Sequence, residues 1–378
     1  MTLIFLLGRI VSTVMLVILA AQQPENAWTA ANPSLWDFSS VWDGRWYNII
    51  AEAGYPTVLP YTEDGHIAEN AWAFLPAYPG MVKLVMMLTG LAWAPAAVSV
   101  SVAFAYGATL VFYKLLAKVV PAQQALFAVL LFSLAPVAAV MQVAYAESMQ
   151  LFLIAVCLYL LMERRYVLMI PFVIALSLTR PGALAIALTL VLHWIYRFAK
   201  RSRSRFPMKH RVLVAFVAIL AALAGVAWMF IAGAMTGHPT AYLETELAWR
   251  SAYIGYQELL PFTPWILASQ WWMPGVWGYV VLGAVVAGFA VFLFTPAVKR
   301  LGVDIRFWLV SYALYVLAVF FPQSSTFRIL APLFPLWGAV AAPKSRVYRV
   351  IIALVCVALQ WGWLLIGWRI DGYDWTPP

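Results

Sequence analysis

Apolar runs long enough, or nearly long enough, to cross a lipid bilayer recur along the whole chain, with short charged segments between them. A spanning helix needs roughly 20 residues, and inside lipid only helices and closed barrels satisfy every backbone polar group. The 378 residues are 65% hydrophobic and 10% charged, whereas a soluble globular protein carries about 25% charge. We therefore predict an all-α polytopic membrane protein with about eleven transmembrane helices. The runs are 3–20, 94–113, 123–141, 147–162, 167–179, 182–197, 212–232, 276–295, 307–321, 329–342 and 350–368.

The distribution of charge predicts the orientation of these helices, because cytoplasmic loops are rich in lysine and arginine. The densest basic run, 197–211, is flanked by apolar segments and is therefore interpreted as cytoplasmic. With that loop inside, the inner loops hold seventeen Lys/Arg and two acids, whereas the outer segments hold six Lys/Arg and thirteen acids. This partition predicts a cytoplasmic N-terminus and an outer C-terminus. The inner loops are 114–122, 163–166, 197–211, 299–306 and 343–349.

Several other classes of protein are disfavoured by the same pattern. The net charge of +9 lies in loops beside apolar runs, which indicates anionic headgroups rather than nucleic acid as the partner. Cys157 and Cys356 both lie inside apolar runs and offer neither a disulfide framework nor a zinc spacing. The run 1–20 is interpreted as a retained first helix, with a cleaved signal segment as the alternative.

The first outer segment, 21–93, carries seven of the fifteen carboxylates of the chain. Trp42, Trp46, Ile49 and Ala53 follow helical spacing and form an apolar stripe suited to lying on a membrane surface. Asp43 lies at the start of this helix, where the helix dipole favours a negative charge. The run 75–90 is apolar but short and marked by proline, so it predicts a second surface helix rather than a span.

Five strings occur in order along most of the chain: WDGRWY at 42–47 with AEAGY at 51–55, AFLPAYP at 73–79, AYAES at 144–148, LTRPG at 178–182 and FRILAPLFP at 327–335. Together they resemble the PIG-V-like mannosyltransferases of the GT-C superfamily. The resemblance implies a GT-C-type fold forming one membrane domain over 1–378. It also implies an inverting transfer of mannose from polyprenyl-phosphate-mannose to an inositol-lipid or other envelope glycolipid.

Asp43 is the predicted catalytic residue. Inverting transfer needs a general base to take the proton of the acceptor hydroxyl, and the resemblance places the family's acid at this position. The alternative is a structural role, in which the Asp43 carboxylate only stabilises the helix by interacting with its dipole.

The departing phosphate needs cations or hydrogen-bond donors. Arg180 and Arg328 lie against apolar helices on the predicted outer side and are the first candidates, with Arg250 in a longer loop as the third. His66 and His238 are further candidates for phosphate or sugar contacts. The alternative for the arginines is that they only extend their charged groups to the membrane interface. The alternative for the histidines is that they are loop residues without a binding role.

Other residues are predicted to bind donor or acceptor. Glu147 begins an apolar run, where an acid is either functional or an end charge of the helix. Its neighbour Tyr145 is grouped with it. The aromatic candidates for stacking on sugar faces, which could equally form an interfacial aromatic belt, are Trp42, Trp46, Tyr47, Tyr55 and Phe74. Arg45 is a further candidate for substrate binding.

We expect no firmly bound cofactor, although Glu52, Glu63, Asp64 and Glu69 could join Asp43 around a divalent cation. The expected partners are a polyprenyl-phosphate-linked donor, a lipid-linked acceptor and membrane lipids, and the protein is expected to be a monomer. The predicted location is a bacterial plasma membrane with the site on the outer face, or an endoplasmic reticulum membrane with a luminal site. The alternative functions are a secondary transporter or flippase of lipid-linked sugars, and a non-catalytic scaffold.

Overall fold

The computed structural model describes residues 1–202 and 204–370. In chain order the α-helices are α1 Thr2–Ala20, α2 Leu35–Phe38, α3 Asp43–Ala53, α4 Ala77–Thr89, α5 Trp93–Leu116, α6 Ala122–Ser133, α7 Glu147–Met162, α8 Tyr166–Ser177, α9 Ala183–Ala199, α10 Met208–Thr236, α11 Ala241–Ala248, α12 Ser251–Ile254, α13 Thr263–Trp272, α14 Val276–Leu293, α15 Pro296–Lys299, α16 Val303–Val319, α17 Thr326–Ile329, α18 Trp337–Val340 and α19 Arg346–Gly367. Short 3-10 helices lie at Ala71–Ala73, Ala138–Gln142 and Ala331–Leu336. Within the described ranges the only strand-like pairing is an isolated bridge between Tyr61 and Ile67.

The prediction of an all-α protein with apolar helices is confirmed. In the described part of the chain, five helices are long and apolar enough to cross a membrane, by length and composition: α1, α5, α10, α14 and α19. Other predicted runs form shorter apolar helices, among them α6, α7, α8 and α9. The number of spans therefore stays a prediction.

Two of the predicted continuous spans are interrupted. The run 123–141 ends its α-helix at Ser133 and continues, after Pro136, as the 3-10 helix Ala138–Gln142. The run 329–342 is divided among α17, a 3-10 helix with two prolines, and α18. Proline removes a backbone donor and clashes with the preceding turn, so these segments cannot continue as regular α-helix.

Arg9, placed by the sequence in the middle of the first span, satisfies the backbone groups freed at the first break. Its guanidinium donates to the carbonyl oxygens of Ser133 and Ala138 at 3.2 and 2.8 Å and to Gln142 Oε1 at 3.1 Å. Gly8 permits the approach, since a Cβ there would lie 2.4 Å from the Ser133 carbonyl oxygen. Irregular backbone at membrane depth is tolerated only where protein groups satisfy it in this way.

The chain forms two compact units. The first unit contains the segments Met1–Glu52 and Pro76–Tyr159 and the described residues from Ser324 to Ile370. The second contains Ala53–Leu75 and Leu160–Gln323. Residues of the predicted first outer segment therefore belong to both units.

In the second unit, α9 packs against α10 and α16, and α10 packs against α8. An apolar cluster holds the loop after α3 on this helical layer. Its buried members are Leu59, Ile67, Trp72, Leu75, Trp228, Ala232 and Ala241.

The two predicted surface helices are present as α3 and α4. Along α3, the protein buries Gly44, Tyr47, Ile50 and Ala51, whereas Ile49 and Ala53 of the predicted membrane-facing stripe are exposed. Helix α4 has 13 residues and ends at Gly90 with φ +71°. At 1.5 Å per residue it is about 20 Å long, shorter than the roughly 30 Å of a bilayer core.

Candidate functional site

A buried arginine joins two carboxylates in the first unit. Arg328, on α17, donates a hydrogen bond to Asp43 Oδ2 at the start of α3 and another, of 2.7 Å, to Glu147 Oε1 at the start of α7. The side chains of Arg328 and Glu147 are 6% and 2% exposed, whereas that of Asp43 is 15% exposed. Asp43 is therefore the member of this acid–arginine cluster that is most open to a substrate.

Arg328 remains a cation in this setting. Burial by itself lowers the pKa of the guanidinium, but the adjacent carboxylates of Asp43 and Glu147 raise it well above the ordinary arginine value. One guanidinium between two carboxylates holds both acids in a defined geometry.

The backbone immediately before Asp43 is strained. Trp42 has φ +58°, a left-handed conformation that costs a residue other than glycine about 1–3 kcal/mol. Its indole is 6% exposed, donates from Nε1 to the Gly367 carbonyl oxygen at 3.0 Å, and lies 5.1 Å from the Trp28 ring. These contacts hold the turn that makes Asp43 the first residue of α3, with its carboxylate near the positive end of the helix dipole.

Tyr145 contacts both Arg328 and Asp43 of the acid–arginine cluster. The Arg328 guanidinium lies 4.9 Å from the centre of its ring, a cation–π geometry. The Asp43 backbone N–H donates to the Tyr145 hydroxyl at 3.4 Å, and the Ser101 hydroxyl donates to the Tyr145 carbonyl oxygen at 3.1 Å. Burial and then the Asp43 charge raise the pKa of Tyr145 well above its ordinary value, so its hydroxyl stays protonated.

A glycine brings the segments of Asp43 and Glu147 together. A Cβ on Gly44 would lie 3.2 Å from Ala144 Cβ and 3.4 Å from the Ala144 carbonyl oxygen. The Ala144 backbone N–H also donates to the Ser39 carbonyl oxygen at 2.9 Å. The first turn of α3 therefore rests directly on the segment that leads into α7.

The aromatic candidates near Asp43 differ in accessibility. Trp42 and Tyr47 are both buried, and Tyr47 packs edge-on against Tyr78 at 5.1 Å, which favours packing roles for these two. Trp46 is half-buried. Arg45 is exposed, lies 5.1 Å from the Trp28 ring centre, and lines a cavity of about 360 Å³.

Four further candidates belong to the second unit. His66 stacks on Tyr256 with ring centroids 3.9 Å apart. His238 is partly exposed and contacts the Thr240 hydroxyl at 3.1 Å from Nδ1. Arg250 forms a 3.0 Å ion pair with Glu246, one helical turn before it. Arg180 is half-buried.

Arg180 and Arg250 both belong to the second unit. Arg328 belongs to the first unit, where it is engaged by Asp43 and Glu147.

Sequence reasoning named Asp43, Glu147, Tyr145 and Arg328 but missed that they form one cluster. It also missed the strain at Trp42 and the close approach at Gly44. The WDG string itself carried a signal, because a glycine directly after a helix-initiating acid suggests a tight contact. In the described ranges, no group of three or more His, Cys, Asp or Glu side chains could hold a metal ion.

No protein-family model and no curated protein sequence match the chain. Among solved structures, the chain is similar to apo ArnT from Cupriavidus metallidurans, with 12% identity and a TM-score of 0.49. It is also similar to the Archaeoglobus fulgidus oligosaccharyltransferase tethered with an acceptor peptide, with 11% identity and a TM-score of 0.40. The alignments cover 93% and 95% of this chain but 61% and 55% of those two chains.

Proposed function

We propose that the protein is an inverting glycosyltransferase of the GT-C type, which moves a sugar from a polyprenyl-phosphate donor to a glycolipid acceptor. The observation that carries the proposal is the acid–arginine cluster, in which Asp43 is the one partly exposed carboxylate. The donor sugar is proposed to be mannose, and the acceptor an inositol-lipid or other envelope glycolipid, on the resemblance of the five strings to the PIG-V-like family. The protein acts as a monomer in a plasma membrane, with the site on the extracytoplasmic face.

In the proposed reaction, Asp43 Oδ accepts the proton of the acceptor hydroxyl. The acceptor oxygen forms a bond to the anomeric carbon, and the bond from that carbon to the donor phosphate breaks. The acceptor oxygen attacks from the face opposite the phosphate, which leaves with the bonding electron pair, so the configuration at the anomeric carbon is inverted. The partial exposure of Asp43 supports this role, because a general base must come within hydrogen-bond reach of its substrate.

Arg328 and Glu147 are proposed as positioning residues for Asp43. The Glu147 side chain is almost fully buried and accepts a hydrogen bond from the same Arg328 Nη1 that donates to Asp43. Both carboxylates are bound through Nη1, which supports a role for Arg328 in orienting the base. Its buried Nε has no hydrogen-bond partner among the described residues, so Arg328 stays a second candidate ligand of the donor phosphate, its role in the sequence-based prediction.

Arg180 is the first proposed ligand of the donor phosphate, as in the sequence-based prediction, with Arg250 as a further candidate. Arginine matches the oxygen atoms of a phosphate with two parallel hydrogen bonds. Lysine keeps the charge but loses this fork, so Arg180→Lys should weaken donor binding by the purified protein. Unchanged donor binding would remove Arg180 from the phosphate site.

The function is tested by sugar transfer from radiolabelled polyprenyl-phosphate-mannose to a lipid extract, with purified full-length protein in detergent. Asp43→Asn should lower turnover by about 10²-fold or more, the usual cost of losing a general base. The matched control is Glu52→Gln, which changes an exposed acid of the same helix and should leave turnover unchanged. Near-normal turnover of Asp43→Asn would exclude Asp43 as the base. A wild-type protein that moves the donor between leaflets without transferring sugar would instead be a flippase.

A further inference from the structure

A second cavity, of about 460 Å³, lies in the second unit and takes no part in the proposed transfer reaction. It is lined by the last turns of α9, the turn between α7 and α8, and the first turn of α16. The charge partition predicts that this end of the helices faces the cytoplasm. Three cationic side chains line it, Arg164, Arg197 and Lys200, against one acid, Asp304.

Arg197 is a buried donor that lacks a complete set of partners. It is 7% exposed, its Nη2 donates to the Arg205 carbonyl oxygen at 2.8 Å, and its guanidinium lies 5.4 Å from the Phe206 ring centre. Among residues 1–202 and 204–370, the buried Nε atom has no hydrogen-bond partner. A buried donor without an acceptor costs about 1–3 kcal/mol. An anionic oxygen bound in the cavity could supply the missing acceptor.

The acid on the cavity wall is already engaged. Asp304 Oδ1 lies 2.7 Å from Nδ1 of His193, a side chain that is 2% exposed. A carboxylate only accepts, so Nδ1 carries the hydrogen, and Nε2 contacts the Tyr166 hydroxyl at 3.1 Å. This chain of contacts draws the acid toward His193 and leaves the cations to face the cavity.

Arg164 and Lys200 are exposed and supply the other two cations of the cavity wall. Arg164 also adopts φ +57°, a conformation that is far less costly for glycine or asparagine. The cavity thus combines one fixed, buried guanidinium with two cations that can adjust to a bound anion, an arrangement suited to phosphate oxygens.

We propose that this cavity binds the phosphate group of an anionic phospholipid headgroup. A lipid rather than a free anion is favoured because the helices beside the cavity expose large apolar side chains. On α9 these are Val191 and Ile195, and on α10 they are Val212 and Phe216. Acyl chains can lie along these faces while the headgroup enters the cavity. If the basic residues of 197–211 served only to keep this loop on the cytoplasmic side, they would need neither a cavity nor a buried guanidinium at Arg197.

The test measures binding of phosphatidylglycerol and phosphatidylcholine to the full-length protein by native mass spectrometry from neutral detergent. The double variant Arg164→Ala/Lys200→Ala removes two exposed cations that line the cavity. The matched control Arg205→Ala/Lys209→Ala removes two exposed cations of the same basic segment that do not line it. Because charge-assisted hydrogen bonds are lost only in the first variant, its affinity for phosphatidylglycerol should fall about tenfold or more relative to the control. Binding of phosphatidylcholine should be equal in both.

Equal losses in the two double variants would overturn the proposal, because they would show diffuse attraction by the whole basic segment. Equal affinity of the wild-type protein for both lipids would overturn it as well. A third arm adds inorganic phosphate at millimolar concentration. If phosphate displaces the lipid and also stabilises the wild-type protein alone in a thermal scan, the ligand is free phosphate. A thermal scan of each variant checks that it is folded. Arg197→Lys keeps the charge but removes Nε, so the folded variant should lose affinity for phosphatidylglycerol.

Discussion

At the scale of single residues, the two acids on Arg328 have different surroundings and should respond differently to substitution. Asp43 is 15% exposed and can exchange a lost hydrogen bond for one with water, whereas the Glu147 side chain is 2% exposed. Removing Glu147 leaves Arg328 paired with Asp43 but takes away one buried, charge-assisted hydrogen bond, which typically contributes about 1.5–3 kcal/mol. Glu147 is therefore expected to matter for stability and Asp43 for turnover.

Glu147→Ala should lower the free energy of unfolding by about 1.5–3 kcal/mol, the usual contribution of a hydrogen bond to a charged group, and reduce turnover in proportion to the misplacement of Arg328. Glu147→Gln, which keeps an acceptor oxygen, should lose less. The measurement is the thermal unfolding midpoint in detergent, with Asp43→Asn beside it, for which we expect only a small shift. If Asp43→Asn were the less stable of the two, the assignment of a structural role to Glu147 would be wrong.

At the scale of elements, the position of α3 depends on how closely its first turn approaches Ala144. A methyl group on Gly44 would have to displace Ala144 or the helix by a few tenths of an ångström, because 3.2 Å is closer than an ordinary van der Waals contact. Asp43 is attached to that turn, so the base would move with it.

Gly44→Ala should therefore reduce the turnover number about tenfold or more, since small misplacements of a catalytic group are costly. Donor affinity should change much less. The matched control is Gly80→Ala on α4, where a Cβ meets nothing within 4 Å. Full activity of Gly44→Ala would show that the acid tolerates movement of α3. A loss of activity in Gly80→Ala as well would indicate a general effect of alanine on these surface helices.

The interruptions in the apolar helices are also features at the scale of elements. The interruption after Ser133 carries buried irregular backbone, and Arg9 hydrogen-bonds to carbonyl oxygens on both sides of it. An arginine inside an apolar run thus has a structural function that the local sequence does not reveal.

At the scale of the whole molecule, every proposed role on the outer face depends on the topology that the charge partition predicts. The decisive ambiguity is the segment 75–90, which would invert all later loops if it crossed the membrane. Its helix α4 has 13 residues and carries an exposed Lys83, which supports a helix that lies on the surface.

Single cysteines test this topology with a membrane-impermeant maleimide added to intact cells. Gly65→Cys should be labelled from outside, and Ser202→Cys should be labelled only after permeabilisation. Thr89→Cys should be labelled from outside or protected. Both native cysteines are buried, so background labelling should be low. Labelling of Thr89→Cys from the cytoplasmic side would make 75–90 a span and would separate the proposed outer residues.

Helix positions were largely determined by the sequence alone. The run 147–162 became α7 with the same bounds, and the run 3–20 became α1 at Thr2–Ala20. The reason is physical: in lipid, the backbone must satisfy its own hydrogen bonds, so the length of an apolar run sets the length of a helix. The start of α3 at Asp43 was also predictable, because spacing and an acid at a helix N-terminus are local features.

Only the tertiary structure decided which charged residues meet. Arg328 lies 285 residues from Asp43 and 181 residues from Glu147 in the sequence, yet it donates to both. Charge type and membrane side made each of the three a candidate, but nothing local distinguishes an arginine that binds phosphate from one that holds a base. The division into two units was hidden for the same reason. The spacing of apolar residues indicates which face of a helix contacts water and which contacts lipid or protein. Ion pairs and compact units instead depend on contacts between segments that are far apart in the chain.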